Sequence, residues 1–299
     1  MSSSAKAALA HSRTHPPYVS LDEAARDAAL RAAATIESWS ADDPMTIAQL
    51  SAQVATEDAL TGLGRELLEH LDRSRAVIVE RTPADTARAI LALFAAVAIP
   101  ATAGNGSGTI HRIASSDGSP RDLSETAAEF AAHTDSTFLR NPHDLIALAC
   151  VHSDGGGGES FLIDVDAVTA ELGPDDAAAL SEPAFPFWLN DPLYGLGRHD
   201  AAILGEHGPG TARYRRDVVA GLLAGSDRAA ERHRRAVRRL DALLDDCAAQ
   251  RPISLMPGQL LLFDNRRLFH GRAPLGLNTA RTLLRLKGYR RQRTTYRIA

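Results

Sequence analysis

The chain changes character near residue 100, and that change restricts its fold more than any other feature. Before it, alanine- and leucine-rich stretches carry charges at helical spacing. They cover residues 21–39 and then 46–72, with Gly62 and Gly64 as candidate interruptions. A β-branched run at 76–79 predicts a buried strand. Thr82 and Pro83 predict a helix start, as cap and first helical residue, for a helix reaching about Ala98. After residue 100 short apolar runs alternate with turns, at 109–114, 144–152, 159–164, 253–256, 259–264, 268–272 and 282–289. Gly104 to Gly108 predicts a loop, and 115–121 is turn-rich. The glycines of 155–158 join two apolar runs as a hairpin would. No Gly-Lys-Ser/Thr follows them, which excludes a phosphate loop.

An insertion separates the two strand groups. Residues 165–180 have a helical pattern, 181–210 form an irregular loop rich in Pro, Gly and aromatics, and 213–250 are helical again. The basic run Arg232 to Arg239 reads as a solvated helix face, balanced by Asp241, Asp245 and Asp246. Helices first and short strands later predict an α+β chain. The expected architecture is a double-stranded β-helix, or jelly roll, flanked by N-terminal helices and a helical and loop insertion. One domain spans 1–299, with 1–17 as a loose arm and 181–250 as lid and helical insertion.

Charge and cysteine content exclude several classes. A net charge of -4 offers no electrostatic case for nucleic acid or an anionic membrane. Two cysteines, Cys150 and Cys247, make neither a disulfide framework nor a thiolate metal cluster. No apolar run reaches the roughly 18–20 residues of a membrane span, and residues 1–10 lack the apolar stretch of a secretory signal. A cytoplasmic location is expected.

The candidate chemistry lies in Ala-His133-Thr-Asp135-Ser and in Asn265-Arg-Arg-Leu-Phe-His270-Gly-Arg272. Residues i and i+2 of a strand share a face, so one extended segment would aim His133 and Asp135 at a common point. A second imidazole, His270, would complete two histidines and a carboxylate, the open ligand set of non-haem iron(II) oxygenases. Taken singly, His133 also fits a core histidine and Asp135 a turn or cap residue.

Five pieces in order resemble the taurine dioxygenase and clavaminate synthase-like superfamily of iron(II)- and 2-oxoglutarate-dependent oxygenases. They are His133-Thr-Asp135, Asp144-Leu-Ile-Ala-Leu, Gly-Gly-Glu159-Ser160, Pro257 through Arg272, and Arg281-Thr-Leu-Leu-Arg285. Together they span roughly residues 125 to 290. The resemblance implies iron(II) held by His133, Asp135 and His270, with O2 and 2-oxoglutarate as cosubstrates. Arg281 and Ser160 are implied at the far carboxylate of 2-oxoglutarate, since a buried carboxylate needs a cation and hydrogen bonds. Arg285 is implied at the acidic group of a substrate, while Asn265 and Arg272 would shape the turn that presents His270. His111, His143, His152, His199 and His207 read as structural or solvated, and Cys150 as a small buried hydrophobe.

The implied reaction is oxidation of an unactivated C–H bond of a small polar molecule, an amino acid or a derivative of one. Hydroxylation is the default outcome, and desaturation, epoxidation or cyclisation are chemically adjacent. Halogenating relatives leave the carboxylate position open, and Asp135 fills it. Two other classes fit parts of the pattern. A zinc hydrolase would use three ligands and a water but gives Arg281 and Ser160 no purpose. A non-catalytic 2-oxoglutarate-binding module would not need the ligand set.

Overall fold

The computed structural model describes residues 15–35, 43–101, 108–114, 127–191, 195–219, 231–248, 252–276 and 279–291. Most of the expected arm at 1–17, the glycine loop after residue 101 and the turn-rich stretch at 115–121 lie outside them.

The first hundred residues carry four described helices: α1 (Glu23–Ala34), α2 (Pro44–Thr56), α3 (Asp58–Ser74) and α4 (Ala87–Ala95). Asp22 caps α1 by accepting from Ala25 N at 2.7 Å, and Asp43 caps α2 ahead of its first-turn proline. The break in the second helical stretch falls at Glu57, not at the glycines, which both lie inside α3. Gly64 is there for closeness: a β-carbon on it would sit 2.4 Å from the carbonyl oxygen of Ala96, just past α4. The helix expected from Pro83 starts instead at Ala87, because Thr82 is held away by donating Oγ1 to Gly258 O at 2.9 Å.

Two sheets enclose the interior. The larger runs β1 (Tyr18–Ser20), β2 (Ala76–Glu80), β10 (Leu260–Asp264), β6 (Leu145–Ser153), β12 (Arg281–Arg290) and β3 (Ala98–Ala101), with β4 (Ile110–Ala114) also paired to β12. The smaller runs β5 (Phe130–His133), β11 (Leu268–Arg272) and β7 (Ser160–Asp164). Side chains alternate across a strand, and the larger sheet uses both faces. Leu260 and Leu262 pack with Val77, Val79 and the helical leucines Leu60, Leu67 and Leu71. Leu261 and Phe263 point the other way, with Ile78, Ile146 and Leu283, into the space between the sheets. The smaller sheet is backed by α5 (Val165–Glu171), α6 (Pro174–Leu180) and α7 (Glu231–Ala248), through Val168, Val237, Leu240 and Leu244 against Phe161, Ile163 and Phe269. Each such buried side chain contributes about 1.5–3 kcal/mol of transfer free energy.

Several expectations change. β6 and β7 do not form a hairpin: β6 pairs β10 and β12, whereas β7 pairs β11. The glycine loop between them carries the chain from one sheet to the other, with Gly155, Gly157 and Gly158 all at positive φ. The helix expected over 165–180 divides at Gly173-Pro174. The irregular stretch 181–210 contains a hairpin, β8 (Phe185–Asp191) with β9 (Gly195–Ala201), whose Phe185 and Phe187 are fully buried. Of the helix expected over 213–250, residues 213–215 are not helical, 216–219 are helical and Glu231–Ala248 form α7, while residues 253–256 give one bridge, Ile253 to Ser160.

Candidate metal centre

His133 ends β5, and β11 is registered so that His270 stands directly opposite it. Opposed residues of paired strands project from one face, so register alone sets the two rings side by side, centroids 4.3 Å apart. Asp135 lies past the strand end, in a turn where Ser136 takes φ 64°. A shared strand face therefore does not aim it. Asn265 does, from the end of β10. Its fully buried amide accepts from Asp135 N at 2.8 Å through Oδ1, and Nδ2 donates to Asp135 O at 3.1 Å and His143 O at 2.8 Å. Asn265 thus holds the aspartate's backbone rather than the turn before His270.

The outcome is convergence. Asp135 Oδ1 is 3.8 Å from His133 Nε2, and Oδ2 is 3.8 Å from His270 Nε2. One ligand atom from each of the three residues lies within 4.8 Å of the others. The donor set suits a divalent metal. His133 Nδ1 donates to Ala131 O at 2.9 Å, which leaves the Nε2 lone pair facing Asp135. His133 Nε2 and Asp135 Oδ2 are buried and have no hydrogen-bond partner among the described residues. Burial pushes the His133 imidazole down to about 4, and burial with the neighbouring His133 ring pushes His270 well below its ordinary value. Burial also pushes the Asp135 carboxyl up, but Lys287 and Arg285 outweigh it and hold the group well below the usual range. Neutral imidazoles beside an ionised carboxylate are the protonation states that metal ligation requires.

β12 supplies the cations on one wall of an adjoining cavity. Arg281 reaches across to β7 and donates Nη2 to Ser160 Oγ at 3.5 Å. Burial, then the nearby Arg272, pushes its guanidinium down to about 10. Arg285, two residues beyond Leu283 on the same strand face, has Nη2 2.8 Å from His111 Nδ1 and Nη1 3.8 Å from Asp135 Oδ2. His133, His270, Ser160, Arg272, Arg281 and Arg285 line one cavity, with apolar walls from Phe130, Ile146, Leu148 and Leu283.

Three residues of this neighbourhood stand differently from the sequence reading, and Lys287 was absent from it. Lys287 is buried with Nζ 3.1 Å from Asp135 Oδ2. Its signal was available in the alternation of Arg281, Arg285 and Lys287 along one strand face. His111, expected to be structural or solvated, holds Arg285 from the neighbouring strand. Arg272 lines the cavity while donating to Ala128 O at 2.7 Å and Ala273 O at 3.1 Å. His143, His199 and His207 make structural contacts. His143 shares a 2.7 Å hydrogen bond with Ser136 Oγ, and burial pushes it down to about 3. His199 and His207 meet Glu206, which pairs with fully buried Arg213 at 2.8 Å.

The model of the taurine catabolism dioxygenase TauD, TfdA family matches residues 42–287. The chain belongs to this family. As a TauD, TfdA member it is an enzyme, a 2-oxoglutarate-dependent non-haem iron dioxygenase, in keeping with the ligand set described above. No curated protein matches the sequence. Among solved structures, asparagine oxygenase with Fe(II), 2S,3S-3-hydroxyasparagine and succinate superposes with a TM-score of 0.72 at 21% identity, covering 91% of this chain and 93% of that one. The non-haem iron oxygenase OrfP with Fe, succinate and (3S)-hydroxy-L-Arg gives 0.71 at 19% identity, covering 91% and 94%. OrfP with Fe and alpha-ketoglutaric acid gives 0.69 at 18% identity over the same shares. At these identities the likeness establishes a shared fold. Among the described residues no helix is long and apolar enough to cross a membrane.

Proposed function

We propose that this TauD, TfdA family enzyme hydroxylates a free amino acid or a small amino-acid-derived molecule. His133, Asp135 and His270 hold iron(II), Arg281 and Ser160 hold the far carboxylate of 2-oxoglutarate, and Arg285 receives the acidic group of the substrate. Iron(II) held there would supply the oxidising chemistry, in which O2 gives one oxygen atom to the succinate formed, with carbon dioxide, from 2-oxoglutarate and the other to the substrate C–H bond as hydroxyl.

The protein's contribution is placement. The two histidines are set by strand register and the aspartate by the Asn265 clamp, so the ligands need little rearrangement. A guanidinium is suited to a carboxylate by its paired donors, and Arg281 lies beside a hydroxyl that can donate to the same group. The apolar walls limit water around the reacting carbon and strengthen those charged contacts. Arg285 faces the ligand carboxylate from the inward position of β12 beyond Leu283, where it can orient a bound acid toward the centre. Asparagine oxygenase and OrfP, whose solved complexes hold hydroxylated asparagine and arginine, support an amino-acid substrate for the shared fold. The reading takes the enzyme to be cytoplasmic with small-molecule partners; the net charge of -4 supports the further expectation of neither nucleic acid nor membrane.

The observation that carries this reading is the convergence of His133, Asp135 and His270 at the edge of a cavity whose lining joins the two histidines to the Arg281–Ser160 pair. Its test is a screen of the proteinogenic amino acids and their simple derivatives for stimulated succinate formation under iron(II), ascorbate and O2. One or a few α-amino acids should raise succinate release severalfold and gain 16 mass units. Succinate formation that no amino acid stimulates, but another class of small acid does, would remove the substrate assignment.

A further inference from the structure

We infer that Lys287 is the resident counter-cation of the metal-binding carboxylate: it holds Asp135 in place before metal arrives and weakens the metal's hold afterwards. The inference rests on the assignment of His133, Asp135 and His270 as the metal ligands. Lys287 sits on the inward face of β12 beyond Arg281 and Arg285, with its side chain 5% exposed and Nζ 3.1 Å from Asp135 Oδ2. Arg285 Nη1 reaches the same oxygen at 3.8 Å. The contact is an ion pair, since Asp135 Oδ2 accepts no hydrogen bond among the described residues.

Three consequences follow from placing a cation there. A buried carboxylate without a partner is strongly destabilising, so Lys287 stabilises the metal-free fold by compensating Asp135. A divalent ion bound to Asp135 then shares a single buried carboxylate with an ammonium and a guanidinium. Like charges a few ångströms apart in a poorly solvated site repel, and metal affinity falls accordingly. Lysine, on a flexible four-carbon stem, can also shift its head group when metal enters, as a rigid guanidinium fork cannot. The inferred role is therefore one of positioning, in which stability of the empty protein is gained against affinity for the metal.

Lys287→Met and Lys287→Gln test this, with Mn(II) and anaerobic Fe(II) binding measured by calorimetry or chelator competition, and melting followed with and without metal. Expected is a lower melting temperature for the metal-free Lys287→Met protein, at least tenfold tighter Mn(II) and Fe(II) binding, and a larger metal-induced rise in melting temperature than in the parent. Lys287→Gln, which keeps a donor but no charge, should bind metal as tightly as Lys287→Met and lose less stability. It also serves if the methionine variant does not fold. Unchanged or weaker metal binding in both variants would overturn the inference, as would an equal loss of melting temperature with and without metal. A His270→Ala protein separates the two levels: if it binds Mn(II) like the parent, the ligand assignment itself is wrong, whereas loss of binding leaves Lys287 alone under test.

Discussion

Replacing Asn265 with alanine should damage the centre without touching a ligand. The fully buried amide makes three hydrogen bonds, one from Asp135 N and two to the carbonyls of Asp135 and His143, at 2.8, 3.1 and 2.8 Å. Truncation leaves one N–H and two carbonyl oxygens buried without their partner, at about 1–3 kcal/mol each before relaxation. Because the carbonyls can relax toward other donors, a net loss of about 3–5 kcal/mol is expected, a large fraction of a typical 5–15 kcal/mol stability. The turn carrying Asp135, with Ser136 at positive φ, loses the contact that fixes it to β10. Metal affinity should then fall about 10–100-fold, as when the partners that orient metal ligands are removed. Asn265→Asp is the sharper variant. It keeps the size, but turns a two-proton donor into a carboxylate facing two carbonyl oxygens, and should be at least as harmful as alanine at neutral pH. Urea denaturation gives the stability term, and Mn(II) titration of the folded protein gives the affinity term. An Asn265→Ala protein that loses less than about 1 kcal/mol and binds Mn(II) like the parent would refute the reasoning.

Three further outcomes are expected. Arg281→Ala should raise the 2-oxoglutarate requirement at least tenfold, consistent with loss of a charged hydrogen bond of about 1.5–3 kcal/mol, while Ser160→Ala, given a contact of 3.5 Å, should raise it only a few fold. Steady-state succinate assays decide both, and an unchanged requirement in Arg281→Ala would be fatal to that assignment. Gly271→Ala should be destabilising by about 1–3 kcal/mol or more, because its β-carbon would lie 2.5 Å from Phe130 O and 2.2 Å from Phe161 Cζ; chemical denaturation reads it, and a neutral substitution would mean β5 and β11 can separate freely. Adding Mn(II) at a hundred times its dissociation constant should stabilise the protein by about 2.7 kcal/mol, a gain that EDTA reverses and that His270→Ala does not show in thermal melts.

What the sequence disclosed follows the range of the forces involved. β11 was legible to the residue as Leu268–Arg272, because a short apolar run between turns carries its own boundary signal. The helical lead-in was legible for the same reason, while its break at Glu57 was not: Gly64 owes its place to the nearby carbonyl of Ala96, a tertiary contact with no local trace. The β8–β9 hairpin was hidden by Pro186, Gly195 and Gly197, which are poor strand formers; burial of Phe185 and Phe187 overrides them. Within the centre, His133 and His270 could be paired through strand grammar and family likeness. The agent that positions Asp135 could not, since Asn265 acts from 130 residues away through hydrogen bonds to backbone atoms.

The arrangement of β12 explains why the cations of the cavity are so firmly placed. Arg281, Leu283, Arg285 and Lys287 face inward, while Leu284 and Leu286 pack against the helices with Val77 and Ala147. Side-chain period in a strand is two, so a slip of one residue would exchange these sets. Three charges would enter the helix-packed core, and leucines would meet Asp135. The first change alone would bury cations in an apolar core without their present partners, a penalty of several kcal/mol per ion. Register is therefore enforced from both faces at once, by apolar packing outside and by ion pairing to Asp135 inside. The same strand that closes the larger sheet against β3, β4 and β6 fixes the spacing between Arg281, at Ser160, and the Arg285 and Lys287 cations, at Asp135. Fold stability and active-site geometry are here two consequences of one strand register.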